Sequence, residues 1–574
     1  MCSIAGMAGR AEPAVVERMI RLTAHRGPDG SGFFVHPERR PIVALGHGRL
    51  AIVDPEQGGQ PLSDEAGRTW IVINGEIYNH RSLRTALLRR GHRFASHSDS
   101  EAALHLAEEA FDAALDAGVG RQVAGGQTGS RRAAPALQEL ARRLAGVFRR
   151  LDGMFAVALW RSSPDGGGWL VLARDTVGIR PLYWGESDTG ISFGSEIKAV
   201  RQAGLEYRAF PPGYVAVWWV APGGEVAGPA MAAHTLLERL VQPAGGRLAW
   251  LERFGEPAGA AAPAQEEAQA VEELSRLLEG AVVRRLMADV PVGVLLSGGV
   301  DSSLVAALAR RHYPGPLHSF AVGTRDSPDL PASRQVAGVL GTVHHVRTFG
   351  RREAERVLPQ VIYHLESFDA ALVRSAVANY LLFQMVCEHV KVALTGEGAD
   401  ELFAGYASLD GLRGDELNAE LARLTGELHR TNLQRADRMG LAHGVEARVP
   451  FLDLRLVRWA FRLPARLKRR SGAFGPQDKV VVRALAHRWL PAQIAGRPKA
   501  KFSQGSGAAG LLKALAEERI RDGEWAHLAA RYPGASLASR EQALYFRLFL
   551  DFFPEPAARL TVGATRSVVP GEVA

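Results

Sequence analysis

The first 218 residues alternate short apolar runs with Gly, Pro and Asp, a pattern that is typical of β-strands joined by turns. Examples of these runs are IVALGHGRLAIVD, TWIVINGEIYN, FAVALW, WLVLARD and ISFGSE. Two helix-like stretches interrupt them, one at SLRTALLRRG and one that starts near Ser100. The pattern predicts an α+β domain, residues 1–218, that is built on antiparallel sheets.

From residue 267 to residue 560 amphipathic helices alternate with short, continuous apolar runs such as VGVLLS, LHSFAVG and VKVALTG. Such runs are typical of strands that are buried on both faces of a parallel sheet, so we expect an α/β domain at 267–560. The Gly-, Ala- and Pro-rich stretch 219–266 predicts a connection between the two domains. The small polar stretch 112–136 predicts a surface insertion, and 561–574 predicts a loose tail.

Composition narrows the possible function classes. Of 574 residues, 47% are hydrophobic and 23% are charged, which is ordinary for a globular protein. No run of about 18 apolar residues occurs, so we expect no membrane span. The net charge of +8 comes from scattered arginines without an aromatic-interleaved basic stripe, and this disfavours nucleic acid as a partner.

Cysteine usage bears on the compartment. The two cysteines, Cys2 and Cys387, lie 385 positions apart (387 − 2), which indicates no disulfide framework and suits a reducing cytoplasm. No cluster of Cys and His residues has the sequence spacing of a zinc site. We therefore expect a cytoplasmic protein.

The segment VPVGVLLSGGVDSSLVAALARR places a Gly-rich turn between a strand that ends at Leu296 and a helix that begins near Asp301. Glycines allow backbone N–H groups to approach a phosphate, and a helix N-terminus adds partial positive charge. The segment LTGEGADELFAGY places Glu397, Asp400 and Glu401 directly after a later apolar run. Acids at the carboxyl end of a sheet, near a phosphate loop, suit Mg²⁺ that is bound with phosphate groups.

The N-terminal sequence MCSIAG suggests a different chemistry. If Met1 is removed, Cys2 carries both a thiol and a free α-amine, whose ordinary pKa of about 7.7–8.0 suits a base near neutral pH. A nucleophile with its own base is one of the recognised arrangements for amide hydrolysis. Cys387, in FQMVCEHV, lies on an apparent helix face and is expected to be a core residue.

These motifs together resemble glutamine-hydrolysing asparagine synthetases. RGPDGSG, GRLAIVD, NGEIYNH, SDSE, LDGMFAVALW and ARDTVGIRPLYW are similar to class II glutamine amidotransferases, and SGGVDSS and GVEARVPFLD to ATP-pyrophosphatase synthetase domains. The resemblance implies an N-terminal-nucleophile hydrolase fold, with stacked antiparallel sheets between helices, followed by an ATP-pyrophosphatase fold with a parallel sheet. It also implies ATP as a substrate, Mg²⁺, no membrane or nucleic-acid partner and a homodimer.

By the same resemblance, residues of the first domain take roles in glutamine hydrolysis. Cys2 is the nucleophile, and the Asn74 side chain and the Gly75 N–H form the oxyanion hole. Arg49 holds the glutamine carboxylate, and Glu76 and Asp99 face its ammonium group. The full set implied to bind glutamine is Arg49, Leu50, Ala51, Ile52, Val53, Asn74, Gly75, Glu76 and Asp99.

In the second domain the resemblance implies a catalytic Glu397, which assists adenylate formation and ammonia attack, and a metal site at Asp301 and Asp400. The residues implied to bind ATP are Leu296, Ser297, Gly298, Gly299, Asp301, Ser302, Ser303, Val322, Thr395, Gly396 and Lys479. Ammonia from the first site then displaces AMP from an acyl-adenylate at the second site. Because ammonia is protonated in bulk water near pH 7, the cycle requires a path sheltered from solvent.

The acceptor site departs from the family pattern. Arg374, in ESFDAALVRSAVANY, is retained and is implied to bind the acceptor carboxylate, but Ala371 and Leu372 stand where the family has two threonines. Loss of two hydroxyls can weaken the binding of a polar acceptor. Aspartate is the preferred acceptor; the alternatives are another carboxylate substrate or an inactive regulatory homologue.

Overall fold

In the computed structural model of the protein, the described residues are 2–37, 42–119, 133–187, 190–233, 263–472, 475–498, 500–563 and 565. They group into two compact units. The first unit takes in the described residues up to 233 and residues 556–561; the second takes in 263–555 and the described residues from 562 onward.

The first unit contains antiparallel strands that form two sheets. The strands are β1 Ser3–Gly9, β2 Gly30–Val35, β3 Val43–Arg49, β4 Leu62–Ser63, β5 Thr69–Ile77, β6 Gly153–Ser162, β7 Gly168–Arg174, β8 Tyr183–Ser187, β9 Gly190–Gly194, β10 Tyr207–Ala209, β11 Tyr214–Val220 and β12 Val226–Ala233. One sheet has the order β10-β8-β9-β1-β3-β2 and the other β12-β11-β7-β6-β5-β4. The helices along this part of the chain are α1 Pro13–Leu22, α2 His80–Arg89, α3 Ser100–Asp116, α4 Ala133–Arg149 and α5 Ile197–Val200.

The two sheets face each other across an apolar core that includes Leu45, Val72 and Trp160. The opposite face of the second sheet packs on α3 and α4 through a separate core. Strand β5 therefore sends Ile73 to one core and Val72 to the other, which explains its nearly continuous apolar sequence. The expected arrangement of stacked antiparallel sheets with helices is confirmed.

Three stretches differ from the sequence expectations. Val226–Ala233, expected in the connection, forms the edge strand β12, where Gly and Pro are tolerated because one side of an edge strand is unpaired. Helices α3 and α4 extend into the expected insertion, whose residues 120–132 lie outside the described residues. The start of the expected loose tail is held within the second unit, since the Thr565 N–H donates to Asp369 Oδ2 at 2.9 Å.

The second unit is built on a parallel sheet. Its strands are β13 Val292–Leu295, β14 His318–Gly323, β15 Val343–Thr348, β16 Val392–Leu394 and β17 Glu446–Arg448, in the order β15-β14-β13-β16-β17, beside a hairpin of β18 Arg470–Gly472 and β19 Gly475–Gln477. The helices from residue 263 onward are α6 Pro263–Arg285, α7 Val300–His312, α8 Asp329–Leu340, α9 Arg351–Leu365, α10 Ala370–Val386, α11 Ala399–Phe403, α12 Gly414–Glu427, α13 Asn432–Leu441, α14 Leu454–Arg462, α15 Ala465–Lys468, α16 Val480–Ala486, α17 Ala492–Ala495, α18 Phe502–Gly505, α19 Ala508–Arg519, α20 Asp522–Arg531, α21 Arg540–Phe552 and α22 Pro556–Leu560, of which α22 groups with the first unit.

The strand order positions a site. The chain passes from β13 to β14 and β15 on one side, and then returns to β16 and β17 on the other. Ligands of open parallel sheets bind where the order reverses, outside the carboxyl ends of the strands. Here that place lies between the ends of β13 and β16, and the expected parallel-sheet domain is confirmed.

Candidate active sites

The first candidate site lies where the two antiparallel sheets meet at the start of the chain. Cys2 precedes β1 and is 8% exposed, and its backbone N–H donates to Asn74 Oδ1 on β5 at 3.2 Å. The Asn74 side chain is fully buried, and its Nδ2 has no hydrogen-bond partner among the described residues. An unsatisfied buried donor costs about 1–3 kcal/mol. Asn74 therefore holds an unused donor next to the proposed nucleophile.

Gly75 follows Asn74 on the same strand and leaves no room for a side chain. A Cβ atom there would lie 2.0 Å from the carbonyl oxygen of Met154 on β6. The glycine thus allows the β5 backbone to pack closely against the β6 backbone. This close packing fixes the direction of the Asn74 side chain and of the adjacent main chain.

Two buried acids lie at the far end of β5, one on the strand and one on the loop that follows α2. Glu76 and Asp99 are each 4% exposed, and Asp99 Oδ2 accepts a hydrogen bond from the Ile77 N–H at 2.5 Å. Asp99 stands directly before α3. One strand therefore positions both Cys2 and Asp99, and the two acids suit an ammonium group.

Arg49 lies at the end of β3 and is held by the loop that follows it. Its Nη1 donates to the Pro55 carbonyl at 2.9 Å and its Nη2 to the Asp54 carbonyl at 2.5 Å. A guanidinium has five N–H donors, so further donors remain for a ligand carboxylate. In the same loop Leu50, Ala51 and Ile52 are buried and form an apolar wall.

Sequence reasoning missed the residues that hold the Cys2 main chain. Arg26 is fully buried, and its Nε donates to the Cys2 carbonyl at 3.4 Å while its Nη1 contacts Glu196 Oε1 at 2.8 Å. Lys198 Nζ lies 2.5 Å from Glu196. Arg26 belongs to the RGPDGSG motif, which was the available signal for it, whereas nothing in the sequence paired it with Glu196.

The second candidate site begins with the turn after β13. Gly298 has a φ of 75°, and a Cβ there would lie 2.6 Å from the Ala332 main chain. Ser297 Oγ lies 3.1 Å from Ser302 Oγ and accepts from the Gly299 N–H at 3.3 Å. The turn leads directly into α7, so backbone N–H groups converge at a helix N-terminus, as a phosphate site requires.

Lys479 brings the two candidate metal ligands together. Its fully buried Nζ lies 2.5 Å from Asp301 Oδ2 and 2.6 Å from Asp400 Oδ1. A Cβ at Gly405 would lie 2.0 Å from Asp400 Oδ1 and 2.3 Å from Lys479 Cε, so any larger residue there would displace this ion pair. Because both carboxylates already converge on one cation, this donor set fits Mg²⁺.

Glu397 is paired with Arg435 of α13, a nearly buried arginine that the sequence reasoning missed. The Glu397 N–H donates to Thr395 Oγ1 at 3.0 Å. Burial, and then the charge of Asp400, raise the pKa of the neighbouring Glu401. Acidic groups are thus concentrated at the end of β16, where Glu397 is paired with Arg435 and Asp400 with Lys479.

The predicted adenosine contacts lie at three neighbouring strand ends. Leu296 follows β13, Val322 lies in β14 and Thr395 follows β16, and all three are buried. A Cβ at Gly396 would lie 2.9 Å from Asp301 Cβ, so this loop packs closely on the first turn of α7. Leu296, Val322 and Thr395 therefore lie at the carboxyl ends of three neighbouring strands of the parallel sheet, beside the turn after β13.

Arg374 is engaged by an acid that sequence reasoning missed. Its Nε donates to both carboxylate oxygens of Glu541 at 2.9 Å, and this ion pair raises the pKa of Arg374. The Tyr545 hydroxyl donates to the same carboxylate at 2.7 Å. Leu372 is 2% exposed, so it packs in the core.

Comparison with known proteins covers both units. The chain matches the asparagine synthase family over residues 273–414 and 410–566, and glutamine amidotransferase domain families over 1–121 and 127–202. Asparagine synthetase [glutamine-hydrolyzing] 2 of Oryza sativa subsp. japonica is 33% identical over 599 residues, which span 99% of this chain and 88% of the rice protein. Asparagine synthetase [glutamine-hydrolyzing] 3 of Arabidopsis thaliana is 33% identical over 592 residues, which span 99% and 90%.

This chain belongs to the glutamine-hydrolysing asparagine synthetase family. The resemblance inferred from the motifs is confirmed, as is the pairing of an amidotransferase domain with a synthetase domain. Within the part of the chain that the structure describes, no helix is long and apolar enough to cross a membrane. In the same part, Cys2 and Cys387 form no disulfide. Cys387 was expected to be a core residue, but its side chain is exposed.

Proposed function

We propose that this protein synthesises asparagine from aspartate, ATP and glutamine. Its family membership supports this reaction, and the contact between Cys2 and Asn74, with the unused Asn74 donor beside it, carries the glutamine-dependent part. We also propose that it acts in the cytoplasm, where a nucleophilic thiol stays reduced, and as a homodimer.

Glutamine hydrolysis is assigned to the first site. Once Met1 is removed, the α-amine of Cys2 takes the thiol proton, and Sγ attacks the amide carbon of glutamine. The Asn74 Nδ2 and the Gly75 N–H donate to the oxyanion, and Arg49 and Asp99 hold the two charged ends of the amino acid. Ammonia leaves with the transferred proton, and water then cleaves the Cys2 thioester to release glutamate.

Asparagine formation is assigned to the second site. The β-carboxylate of aspartate attacks the α-phosphorus of ATP and pyrophosphate leaves, while the Ser297–Ser303 turn and Lys479 hold the phosphates. Asp301 and Asp400 would hold Mg²⁺, which when bound neutralises phosphate charge. Ammonia then attacks the acyl carbon and AMP departs. Glu397, which Arg435 orients, takes a proton from the attacking ammonia.

A second candidate is the same chemistry on a different carboxylate acceptor. Two observations favour it: Arg374 is already bound to Glu541, and Leu372 presents a buried apolar side chain. If aspartate binds to Arg374, it must compete with the Glu541 carboxylate, which therefore influences acceptor choice.

The test is product analysis by mass spectrometry with glutamine, ATP and Mg²⁺, with and without aspartate. Asparagine, AMP and glutamate that rise together only with aspartate support the proposal. Glutamate without AMP or asparagine contradicts aspartate as the acceptor and leaves glutamine hydrolysis intact. Absence of all three products from folded protein contradicts both activities.

A further inference from the structure

Four side chains of the first unit converge at a place that the proposed reaction does not use. Glu65 lies in the turn between β4 and β5, His92 follows α2, and His105 and Glu108 lie on α3. One ligand atom from each of the four lies within 4.8 Å of the others. We propose that Glu65, His92, His105 and Glu108 form a binding site for Zn²⁺.

The distances fit tetrahedral coordination. His92 Nδ1 lies 3.6 Å from Glu65 Oε1 and 3.5 Å from Glu108 Oε2. His105 Nδ1 lies 3.6 Å from Glu65 Oε2 and 3.1 Å from Glu108 Oε2. Zinc bonds of about 2.0–2.2 Å to nitrogen and oxygen separate neighbouring tetrahedral ligands by roughly 3.3–3.6 Å. Three of the four separations match those of neighbouring zinc ligands, and the one between His105 Nδ1 and Glu108 Oε2 is slightly shorter. The Glu65 carboxylate faces His92 with one oxygen and His105 with the other.

The outward-facing nitrogens of both histidines also have carboxylate neighbours. His92 Nε2 lies 3.3 Å from Glu109 Oε1, and His105 Nε2 lies 3.7 Å from Glu101 Oε1. Metal-bound histidines almost always direct their second ring nitrogen to a carboxylate, a carbonyl or water, which fixes the tautomer. Glu101 and Glu109 therefore supply the outer partners of a histidine–zinc site.

Charge and burial favour a divalent cation here. Three carboxylates, those of Glu65, Glu101 and Glu108, surround two imidazoles, and His105 and Glu108 are buried. The Glu109 carboxylate is shared between His92 and Arg90. Two imidazoles with two carboxylates suit zinc better than Mg²⁺, which prefers oxygen ligands.

The location gives the ion a structural role. It would tie the β4–β5 turn and the segment before α3 to α3 itself, and Asp99 stands at the start of that helix. Glu101 also accepts hydrogen bonds from the Ala95 and Ser96 N–H groups in the same segment. If Asp99 binds glutamine, as proposed above, the ion positions that contact; zinc binding itself does not depend on this role.

A second histidine cluster provides a control. His318, His345 and His389 lie within 4.8 Å of one another in the second unit, but His389 is exposed and no carboxylate belongs to that group of described residues. The thiols of Cys2 and Cys387 can also bind zinc, so a binding assay must distinguish zinc bound to a thiolate from zinc bound at the proposed site.

The test uses full-length protein freed of metal by chelation and titrated with Co²⁺ and Zn²⁺. We expect one Co²⁺ per chain with the strong visible absorption of a tetrahedral site and without the thiolate charge-transfer band that Cys2 or Cys387 would give. His92→Gln and Glu65→Gln should weaken Zn²⁺ binding by more than the about 10–100-fold expected for Glu109→Gln, which removes an outer partner. His389→Gln should bind as the native protein does.

His92 and Glu65 are chosen because their side chains are 14% and 32% exposed, so both variants are expected to fold. Circular dichroism of the metal-free variants checks this. Native affinity in folded His92→Gln and Glu65→Gln, or loss of binding in His389→Gln alone, would overturn the proposal. A raised KM for glutamine in His92→Gln, with ammonia-dependent synthesis unchanged, would support the proposal that the ion positions Asp99. An unchanged KM would overturn that positioning role, while the zinc-binding measurements would still decide whether the site binds Zn²⁺.

Discussion

The two candidate active sites are held together by different forces. In the first unit, Asn74, Gly75 and Glu76 follow one another on β5, and backbone N–H groups hold Cys2 and Asp99 to that strand. In the second unit, side chains far apart in sequence are joined by buried or partly buried ion pairs. The first site thus depends mainly on the geometry of one strand, with the buried Arg26–Glu196 ion pair behind Cys2, whereas the second depends on several ion pairs. Substitutions should therefore affect the two activities separately.

Cys2→Ala should produce the largest difference between glutamine-dependent and ammonia-dependent activity. It removes the proposed nucleophile, so glutamine hydrolysis and glutamine-dependent synthesis should be abolished, while synthesis from ammonia continues in the second unit. Glutamate release and asparagine formation from ammonium chloride measure the two activities. Cys387→Ala, at the exposed second cysteine, is the matched control and should retain both. Loss of both activities in folded Cys2→Ala would contradict the two-site scheme.

Lys479→Gln should break the second site alone. It leaves Asp301 and Asp400 facing each other without their cation, and removal of one partner from a buried pair costs about 3–5 kcal/mol. Synthesis should be lost, the midpoint of thermal unfolding should fall, and glutamine hydrolysis should persist.

Lys468→Met is the control for this change. Lys468 is also fully buried, but it donates to Asn418 at 2.8 Å, and burial lowers its pKa to about 7. Its replacement should leave synthesis active. Normal synthesis by Lys479→Gln would show that the two acids do not need this lysine.

Asn74→Ala should break the first site alone. Loss of one oxyanion donor costs about 100–1000-fold in kcat, or about 2.7–4 kcal/mol. Steady-state glutaminase assays measure this, with ammonia-dependent synthesis as the internal reference. Asn79→Ala provides the comparison, because the Asn79 side chain donates to the Arg150 carbonyl and lies just beyond β5. Equal losses in the two variants would argue against an oxyanion role.

The smallest expected effect is on stability, and it concerns the ion pairs of Asp453 in the second unit. Arg284 and Arg285 contact Asp453 at 2.6 and 3.0 Å; burial alone would raise the pKa of this carboxyl, but the two arginines lower it to about 2. Because the folded pKa lies below the unfolded value, the stabilisation is present above about pH 4 and is lost as pH falls towards 2.

Asp453→Asn should therefore reduce the free energy of unfolding by about 2 kcal/mol near pH 7 and by about half as much near pH 3. Urea unfolding at both pH values measures the difference. Asp522→Asn, whose carboxylate is 79% exposed, should show no such dependence on pH. A loss that does not vary with pH would mean that the charge of Asp453 is not what stabilises the fold.

Much of each fold followed from local patterns. The alternation in TWIVINGEIYN predicted a strand, and the structure places Asn74 and Gly75 on β5. The turn SGGVDSS lies between β13 and α7 as expected. Patterns failed where a neighbour decided the outcome: VAGPAMAA reads as a connection, yet it pairs with β11 because that edge was open.

The candidate sites were predicted less completely. The positions of Cys2, Asn74, Asp301 and Asp400 could be named from motifs, since each motif is a short contiguous segment. Their partners could not be named: Arg26 with Glu196, Arg435 with Glu397 and Arg374 with Glu541 are separated by many residues, and nothing in the spacing pairs them.

The sequence by itself determined the two fold classes and the positions of the proposed nucleophile Cys2 and of the proposed phosphate-binding turn, because periodicity and short motifs act through neighbouring residues. Only the tertiary structure decided which distant charges meet. It joined Lys479 to two acids, occupied Arg374 with Glu541 and gathered His92 and His105 between glutamates, although their spacing is not that of a zinc motif. Such contacts depend on how elements pack, and that packing is set by the whole core.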